Sequence, residues 1–430
     1  HAGRLAPALA FAALVGVVAH AAGRRFGRAA GAAAGFALLV MPRVFAHGHL
    51  AALDTFVCLS WTSALLAAVA ALERPAPVPA MAGAGVVFGL ALLTKIHAWL
   101  LPPIVLAWAL ARPRRARAVA ALAAWGFVGL AVFGAGWPWL WYDPRTRLRH
   151  YLGTGVVRAA IRVQYFGQVY DDRAVPWHYP WFYFAATVPV GLQALGVLGV
   201  IRAWRGRRSD RFPLLLAATI GVILVVFSTN VPVYDGERLF LLVFPLWAIL
   251  IGAGFHWAWQ RAGRGAWLRG ALLAALLGQA HGVVSLHPFG LSYYNALVGG
   301  LPGARRLGLE LTYWGDAVDP VLLARLAEEA GPGQLAALAP TLHHVQPAAA
   351  MTAGLLGRRV ALVDQAVAPR ADWLVAYRRS SYWSPEVRAA MGRGRLVAER
   401  SRQGVWLARL WRLPPAADGN DDPGNSFRQN

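Results

Sequence analysis

The stretch HGHLAALDTF (47–56) lies where one long apolar segment ends and another begins, and it combines two histidines with an aspartate. The segment that follows, 54–72, is apolar over about the length that an α-helix needs to cross a bilayer. A carboxylate at the end of such a helix is costly unless it has partners or faces a cavity. Apolar helices with polar ends are therefore the expected elements of this fold, and Asp54 is the first candidate for function.

The composition indicates a membrane protein. Of the 430 residues, 57% are hydrophobic and only 14% are charged, whereas soluble domains carry about 25% charged residues. The net charge of +22 is high, but the arginines punctuate apolar runs and do not form the basic stripe of a nucleic-acid-binding domain, so no nucleic-acid partner is expected. Cys58 is the single cysteine, which excludes disulfides and a cysteine-built metal site.

About ten apolar segments approach the length of a membrane span. The segments around Thr94–His97 are short, so a broken helix or a tight hairpin is expected there. The predicted segments are 5–22, 29–46, 54–72, 79–93, 97–111, 116–136, 182–201, 212–229, 238–257 and 268–286.

The arginines predict the orientation, because Lys and Arg in short loops stay on the cytoplasmic side. Alternate loops carry 16 arginines, while the intervening short connections carry only Arg43, Lys95 and Arg238. This phase places His1, Asp54 and the tail after Leu286 outside. A chain that starts outside is expected to lack a first helix and outer loop, with a cleaved signal sequence as the alternative.

Three regions follow from this pattern. Residues 1–302 are predicted to form a transmembrane domain with an outer, aromatic-rich loop at 137–180. Residues 303–415 alternate strand-like and helical runs and predict a small extracytoplasmic α/β domain, in which Asp319 is the N-cap of a helix starting at Pro320. Residues 416–430 have turn formers without an apolar period and are predicted to be disordered.

Six motifs resemble bacterial members of the GT-C glycosyltransferase superfamily, in particular the protein O-mannosyltransferases and the lipid A aminoarabinose transferases. The resemblance follows the expected order over nearly the whole chain. The motifs are MPRVFAHGHLAALDTF (41–56), LLTKIHAWLLPP (92–103), WPWLWYDP (137–144), YFGQVYDDRAVPWHYP (165–180), VYDGERLFLLVFP (233–245) and HPFGLSYYNALVGGLPGARRLGLELTYWGD (287–316).

The resemblance implies a multi-pass enzyme of the bacterial cytoplasmic membrane with its active site on the extracytoplasmic side. Such an enzyme is a hexosyl- or pentosyltransferase that takes a sugar from a polyprenyl-phosphate donor. Its acceptor is a lipid, a glycan or a protein. The chemistry then requires a carboxylate near the acceptor, cations for the phosphate and a dry cleft.

The resemblance further implies that the principal catalytic acid lies on an outer loop before His1. Asp54 then has a supporting role, orienting the acceptor or a metal ion; a helix N-cap is the alternative. His47 and His49 are candidates to bind phosphate or a divalent metal ion, or are surface histidines at a helix end. No other cofactor is predicted.

Lys95 and Arg238 are the candidates for binding the donor phosphate. Lys95 is the sole lysine of the chain and lies between two short apolar segments, where an ammonium can meet a lipid phosphate as a point charge; snorkelling to the interface is the alternative. Arg238 lies in YDGERLF, with Asp235 or Glu237 as a local ion-pair partner. A capped turn explains DGE equally well.

Further substrate-binding candidates come from the outer loop and the exit of the last helix. A membrane-interface belt explains the aromatic residues of the loop but not its acidic residues and histidine. Gly299 and Gly300 are expected to supply a turn. The candidates are Asp171, Asp172, His178, Tyr179, Asp235, Tyr293, Tyr294 and Asn295.

Two other function classes compete with a glycosyltransferase. A transporter or flippase of lipid-linked sugars predicts inverted repeats and charges at mid-depth of the bilayer, whereas the polar residues here gather at helix ends. A membrane anchor whose tail binds a partner does not require the aromatic and acidic loop at 137–180.

Overall fold

The computed structural model describes residues 2–111, 115–154, 160–342, 354, 356 and 360–415. The tail 416–430, predicted to be disordered, lies outside these residues. The chain divides into two compact units: His1–Ile161 with Tyr170–Val298, and Arg162–Val169 with Gly299–Asn430. The first unit is helical and the second contains a β-sheet.

The first unit consists mostly of apolar helices, Pro144–Thr154 being a polar exception, with 3-10 helices at Ile96–Leu100, Pro138–Trp141, Arg238–Phe240 and Gly290–Ser292. Its α-helices are α1 (Ala2–Phe26), α2 (Arg28–Leu39), α3 (Pro42–His47), α4 (Asp54–Leu72), α5 (Pro77–Thr94), α6 (Leu101–Leu110), α7 (Arg115–Gly136), α8 (Pro144–Thr154), α9 (Tyr179–Ala186), α10 (Val190–Arg205), α11 (Phe212–Phe227), α12 (Val243–Arg261), α13 (Ala266–Gly278) and α14 (His281–Leu286).

Several of these helices are suited to a membrane. Four are long and apolar enough to cross it: Gly3–Phe26, Asp54–Leu72, Pro77–Thr94 and Ala118–Gly136. The pair α9 and α10, bent by 113°, counts as a fifth when taken as one span. Arg28–Leu39, Ile96–Leu110 and Phe212–Phe227 are apolar but shorter. The protein is thus a multi-pass helical membrane protein, while the count of ten spans stays a prediction.

The helices differ in length from the predicted segments because the helical backbone is interrupted inside apolar runs. The predicted span 268–286 is interrupted after Gly278, and a new helix begins only at His281. Apolar composition continues across the break, so a hydropathy pattern alone does not reveal it. The predicted interruption around Thr94–His97 is present, because Lys95 has an extended backbone between α5 and a 3-10 helix.

Helix α12 forms the centre of the first unit and packs against α1, α2, α10 and α11. Nearly all residues of its first two and a half turns are buried, as expected for a helix that is apolar on every side. Glycines permit its close approach to α10: a Cβ at Gly199 would collide with the Leu250 carbonyl, and one at Gly254 with the Leu195 carbonyl.

The second unit contains a mixed five-stranded sheet of order β4-β3-β5-β7-β6. β3 (Gln334–Ala339), β4 (Val360–Asp364) and β5 (Trp373–Tyr377) are mutually parallel, and β6 (Arg395–Arg402) and β7 (Val405–Arg412) complete the sheet in antiparallel pairing. Two short strands, β1 (Arg162–Tyr165) and β2 (Gln168–Asp171), form a separate sheet. The α-helices are α15 (Gly300–Arg306), α16 (Pro320–Glu329) and α17 (Pro385–Arg393), with 3-10 helices at Gln365–Arg370 and Ser380–Tyr382.

The local predictions for the C-terminal region are largely confirmed. Four of the five strands of the larger sheet coincide with predicted apolar runs, and the Asp319 side chain caps α16 by accepting a hydrogen bond of 3.0 Å from the Leu322 amide. Strand β6 was not predicted, because its sequence RLVAERSR is polar and lies at the sheet edge. The extracytoplasmic placement of this unit stays a prediction.

Candidate functional site

Asp54 is the first residue of helix α4 and is only 4% exposed. Leu53 occupies the N-cap position of α4 and makes no side-chain capping hydrogen bond, so Asp54 is not the N-cap that the sequence offered as an alternative. The Thr55 hydroxyl donates a 3.0 Å hydrogen bond to the carbonyl of His47, the last residue of α3. This bond links the end of α3 to the start of α4, and the carboxylate of Asp54 is left to pair with other side chains.

Lys95 and Arg238 both reach Asp54, from elements far away in sequence. The Lys95 ammonium donates to Asp54 Oδ1 at 2.8 Å, and Arg238 Nε donates to Oδ2 at 3.1 Å. Arg238 Nη1 also donates to Asp235 Oδ2 at 3.0 Å. The structure therefore brings together four residues that the sequence singled out, and we call Asp54, Lys95, Asp235 and Arg238 the open cluster.

Local backbone geometry explains how these cations are positioned. Lys95 has φ −166° and ψ 153°, at the break between α5 and the following 3-10 helix. Before Arg238, Asp235 and Gly236 both have positive φ, at 57° and 67°, a conformation that Gly adopts freely and that Asp tolerates better than most residues. The two left-handed residues turn the chain sharply, so Asp235 and Arg238 pair across one turn.

The open cluster leaves little empty space towards the protein interior. With Cys58 and His97 among its neighbours, it encloses a cavity of about 10 Å³, roughly the room that one water molecule requires. The side chains of Lys95 and Arg238 are nonetheless 25% and 23% exposed. These two cations are therefore accessible from their exposed sides.

A second cluster is fully enclosed. Arg43 Nη1 pairs with Glu237 Oε2 at 2.9 Å, and both side chains are 1% exposed. Glu237 Oε1 lies 3.6 Å from His47 Nε2, and Arg43 Nε donates to the Tyr293 carbonyl at 2.8 Å. We call Arg43, His47 and Glu237 the closed cluster.

Opposing effects determine the charge states of the two adjacent residues Glu237 and Arg238. Burial raises the pKa of Glu237, but Arg43 and His47 outweigh burial and leave the pKa below its usual value. Burial lowers the pKa of Arg238, while Asp54 and Asp235 outweigh it and leave the pKa raised. Both residues are therefore charged at neutral pH.

Aromatic residues cover the closed cluster. The Arg43 guanidinium lies 4.4 Å from the ring centroid of Tyr294 and 5.5 Å from that of Tyr183, and the two hydroxyls are 3.2 Å apart. The Tyr179 hydroxyl accepts a 3.0 Å hydrogen bond from the Gly236 amide, which supports the turn that carries Arg238. Tyr179 and Tyr294 are thus buried supports of the site.

The other predicted residues have local partners of their own. His49 Nδ1 bonds the Phe45 carbonyl at 2.7 Å, and its ring lies tilted by 40° against the Phe45 ring with the centroids 4.4 Å apart. The Asn295 amide donates to the carbonyls of Ala185 and Val188 at the end of α9. Burial raises the pKa of Tyr293 to about 12, so its phenol is neutral at physiological pH.

The predicted loop residues lie near the strand β2 and the start of α9. Asp171 is exposed, whereas Asp172 is buried and its carbonyl accepts a 2.8 Å hydrogen bond from the Val233 amide. His178 is half-buried and its ring contacts Trp177 edge to face. Asp172 therefore anchors the segment that leads into the YDGER turn.

No group of three or more His, Cys, Asp or Glu side chains suited to a metal ion occurs in the part of the chain that the structure describes. A larger cleft, of about 850 Å³, lies between the C-terminal halves of α1 and α4 and includes Arg25 and Glu73. It is at the opposite end of α4 from Asp54, so it is separate from the open cluster.

The four residues of the open cluster were each candidates from the sequence, but their grouping was not predicted; Arg43 was not a candidate, and Glu237 was only a possible local partner of Arg238. Arg43 pairs with Glu237 across 194 positions of sequence. The sequence did contain a signal for Arg43. The short connections on the arginine-poor side carry only three basic residues, and these are Arg43, Lys95 and Arg238. All three contribute to these two clusters.

Fold and site together define a multi-pass helical membrane protein with paired cations and carboxylates at helix ends, followed by a sheet-containing unit. Residues 1–142 match the family model of dolichyl-phosphate-mannose-protein mannosyltransferase. No significant match among curated proteins was found.

Solved structures with similar folds include ArnT from Cupriavidus metallidurans. Its apo structure has a TM-score of 0.52 at 19% identity, and its structure bound to undecaprenyl phosphate has a TM-score of 0.51 at 18% identity. Each comparison covers 95% of this chain and 83% of that chain. The apo oligosaccharyltransferase from Archaeoglobus fulgidus has a TM-score of 0.43 at 11% identity, covering 97% of this chain and 64% of that chain. The two ArnT structures share the fold of this chain, and the family match over residues 1–142 agrees with the predicted resemblance to glycosyltransferases.

Proposed function

We propose that this protein transfers a sugar from a polyprenyl-phosphate donor to a lipid, glycan or protein acceptor at the extracytoplasmic face of the bacterial cytoplasmic membrane. The observation that carries the proposal is the open cluster, in which Lys95 and Arg238 share one buried carboxylate and keep about a quarter of each side chain exposed. The match of residues 1–142 and the fold shared with ArnT support the same class of reaction.

The two cations are suited to receive the phosphate of the donor. Transfer breaks the bond between the sugar and the phosphate oxygen, and negative charge develops on the leaving phosphate. Ammonium and guanidinium donors that are fixed in advance stabilise that charge without reorganising during the reaction. Lys95 contributes a point charge, whereas Arg238 contributes a planar fork of donors.

Asp54 has the role of a positioning residue in this proposal. Both of its carboxylate oxygens accept hydrogen bonds from cations, and a carboxylate paired in this way is a poor proton acceptor. Its buried position fixes Lys95 and Arg238 relative to one another. This assignment agrees with the supporting role that the family resemblance implies.

Binding of undecaprenyl phosphate to the purified protein tests the two cations. We expect Lys95→Ala and Arg238→Gln each to weaken binding by about 2 kcal/mol, near the lower limit for buried charge pairs because both side chains are partly exposed. Arg74→Gln, an exposed arginine just beyond the other end of α4, is the matched control and is expected to leave binding unchanged. Equal affinities for all four proteins would refute the assignment of the phosphate site.

The reaction type is tested in membranes of cells that produce the protein. A transferase breaks the bond between sugar and phosphate and releases polyprenyl phosphate, whereas a transporter of lipid-linked sugars leaves that bond intact.

The membrane side of the active site is tested with topology reporters. A fusion after Gly206 is expected to report a cytoplasmic location, and one after Pro415 an exported location. The opposite result for both fusions would contradict the extracytoplasmic active site.

A further inference from the structure

The second unit contains a group of three arginines, one of which lies at the end of its central strand β5. Arg378 directly follows β5, and Arg409 lies on the neighbouring strand β7. Their guanidinium carbons lie 4.7 Å and 4.8 Å from the ring centroid of Trp406. Arg305 is in the last turn of α15, which packs against β7. We call Arg305, Arg378 and Arg409 the arginine group.

The position of Arg378 in the sheet is one that ligands commonly use. Strands β3, β4 and β5 are parallel, and β3 lies between the other two. The chain therefore leaves β3 towards one side and later reaches β5 on the other, which makes a topological switch point at the carboxyl ends of β3 and β5. In open α/β sheets, ligands bind in the crevice at this point. Arg378 is the first residue beyond that end of β5.

The charges of the arginine group do not cancel. Arg409 is neutralised by Glu399, at 2.7 Å. Arg305 is exposed and makes no ion pair with the residues that the structure describes, and Arg378 Nη1 is buried without a hydrogen-bond partner among them. Burial, then the like charges of Arg305 and Arg409, lower the pKa of Arg378 to about 10. Among the residues that the structure describes, two positive charges are thus left without a counter-ion.

We propose that the arginine group binds a phosphoryl group. A phosphate monoester carries a charge of about −1.5 to −2 at neutral pH, which matches the two uncompensated arginines. Guanidinium groups bind phosphate oxygens through paired, charge-assisted hydrogen bonds. The stacked Trp406 holds two of the guanidinium groups in place, so little side-chain freedom is lost on binding. The phosphoryl group belongs either to free phosphate or to a phosphorylated lipid headgroup.

Calorimetric titration of the 430-residue chain with inorganic phosphate, in detergent and phosphate-free buffer, tests this site. The Lys95→Ala background removes a cation of the open cluster, so phosphate binding that persists there is independent of the proposed donor site. We expect Arg378→Gln to weaken this binding about tenfold or more, as for other hydrogen bonds to charged groups. Arg393→Gln, an exposed arginine at the end of α17, removes the same charge from the same unit and should leave binding unchanged.

Dihexanoyl phosphatidic acid and dihexanoyl phosphatidylcholine, used below their micellar concentrations, separate the two sources of phosphate. Competition by the phosphomonoester lipid alone identifies a headgroup site, while competition by neither lipid identifies a site for small anions.

Arg305→Gln, at an exposed position, replaces Arg378→Gln if that variant does not fold. Absence of phosphate binding, or equal binding by the Arg378, Arg305 and Arg393 variants, overturns the proposal.

Discussion

Glu237 and Arg238 are neighbours in sequence, yet they belong to two clusters with different environments. Glu237 pairs with Arg43 in the closed cluster, where both side chains are 1% exposed. Arg238 pairs with Asp54 and Asp235 in the open cluster and keeps 23% of its side chain exposed. Ion pairs of the same chemistry therefore have different consequences. The closed cluster stabilises the turn, while the open cluster keeps cations accessible beside it.

Removing the Glu237 carboxylate of the closed cluster is the strongest test of the difference between the two clusters. We expect Glu237→Gln to lower the free energy of unfolding by about 3 to 5 kcal/mol, because Arg43 is left as a buried charge without its partner. Chemical denaturation in detergent measures this loss. Glu73→Gln breaks the partly exposed pair with Arg25, at 3.3 Å, and is the matched control, with an expected loss below about 1 kcal/mol.

A double variant separates the charge from the packing. Replacing both partners by apolar residues, Arg43→Met with Glu237→Leu, removes the unpaired charge and should recover part of the stability that Glu237→Gln loses. Equal losses for Glu237→Gln and Glu73→Gln would show that enclosure does not distinguish the two clusters.

The second prediction concerns the carboxylate of the open cluster. Asp54→Asn keeps the shape of the side chain but no longer competes with a phosphate for Lys95 and Arg238. We expect the variant to bind undecaprenyl phosphate as tightly as the parent protein or more tightly. Its rate of sugar transfer should fall about tenfold, equivalent to about 1.4 kcal/mol of activation free energy. Weaker binding with unchanged transfer would contradict a positioning role.

The third prediction follows from the lowered pKa of Glu237. A carboxyl group whose pKa is lower in the folded state contributes stability above its unfolded pKa, and this contribution is lost as the pH falls through the folded value. Each pH unit of depression is equivalent to about 1.4 kcal/mol. We expect stability to decline below about pH 4.5, near the usual glutamate pKa, and Glu237→Gln to show a smaller decline. Parallel pH profiles of parent and variant would exclude this contribution.

Much of the site was predictable because charged residues are rare in this apolar chain. Asp54, Lys95 and Arg238 were identified from their places at helix ends, and the structure brings them into contact. The pairing of Arg43 with Glu237 was not predictable, since nothing local couples residues 194 positions apart. Helices were predicted by their apolar character, but their breaks depend on tertiary packing. The break after Gly278 is an example.

The smallest effect is expected at Asp235, which separates charge from backbone shape within the open cluster. Asp235 has φ 57°, and asparagine also tolerates this left-handed conformation. Asp235→Asn keeps an oxygen that can accept the hydrogen bond from Arg238, and Asp54 still holds Arg238 Nε. We therefore expect undecaprenyl phosphate affinity to change by less than about 1 kcal/mol. Asp235→Ala removes the acceptor and adds left-handed strain of about 1 to 2 kcal/mol, so it should reduce stability more than Asp235→Asn does. If Asp235→Asn instead weakens binding as much as Arg238→Gln, the negative charge of Asp235 is required at the phosphate site, and the positioning of Arg238 does not depend on Asp54 alone.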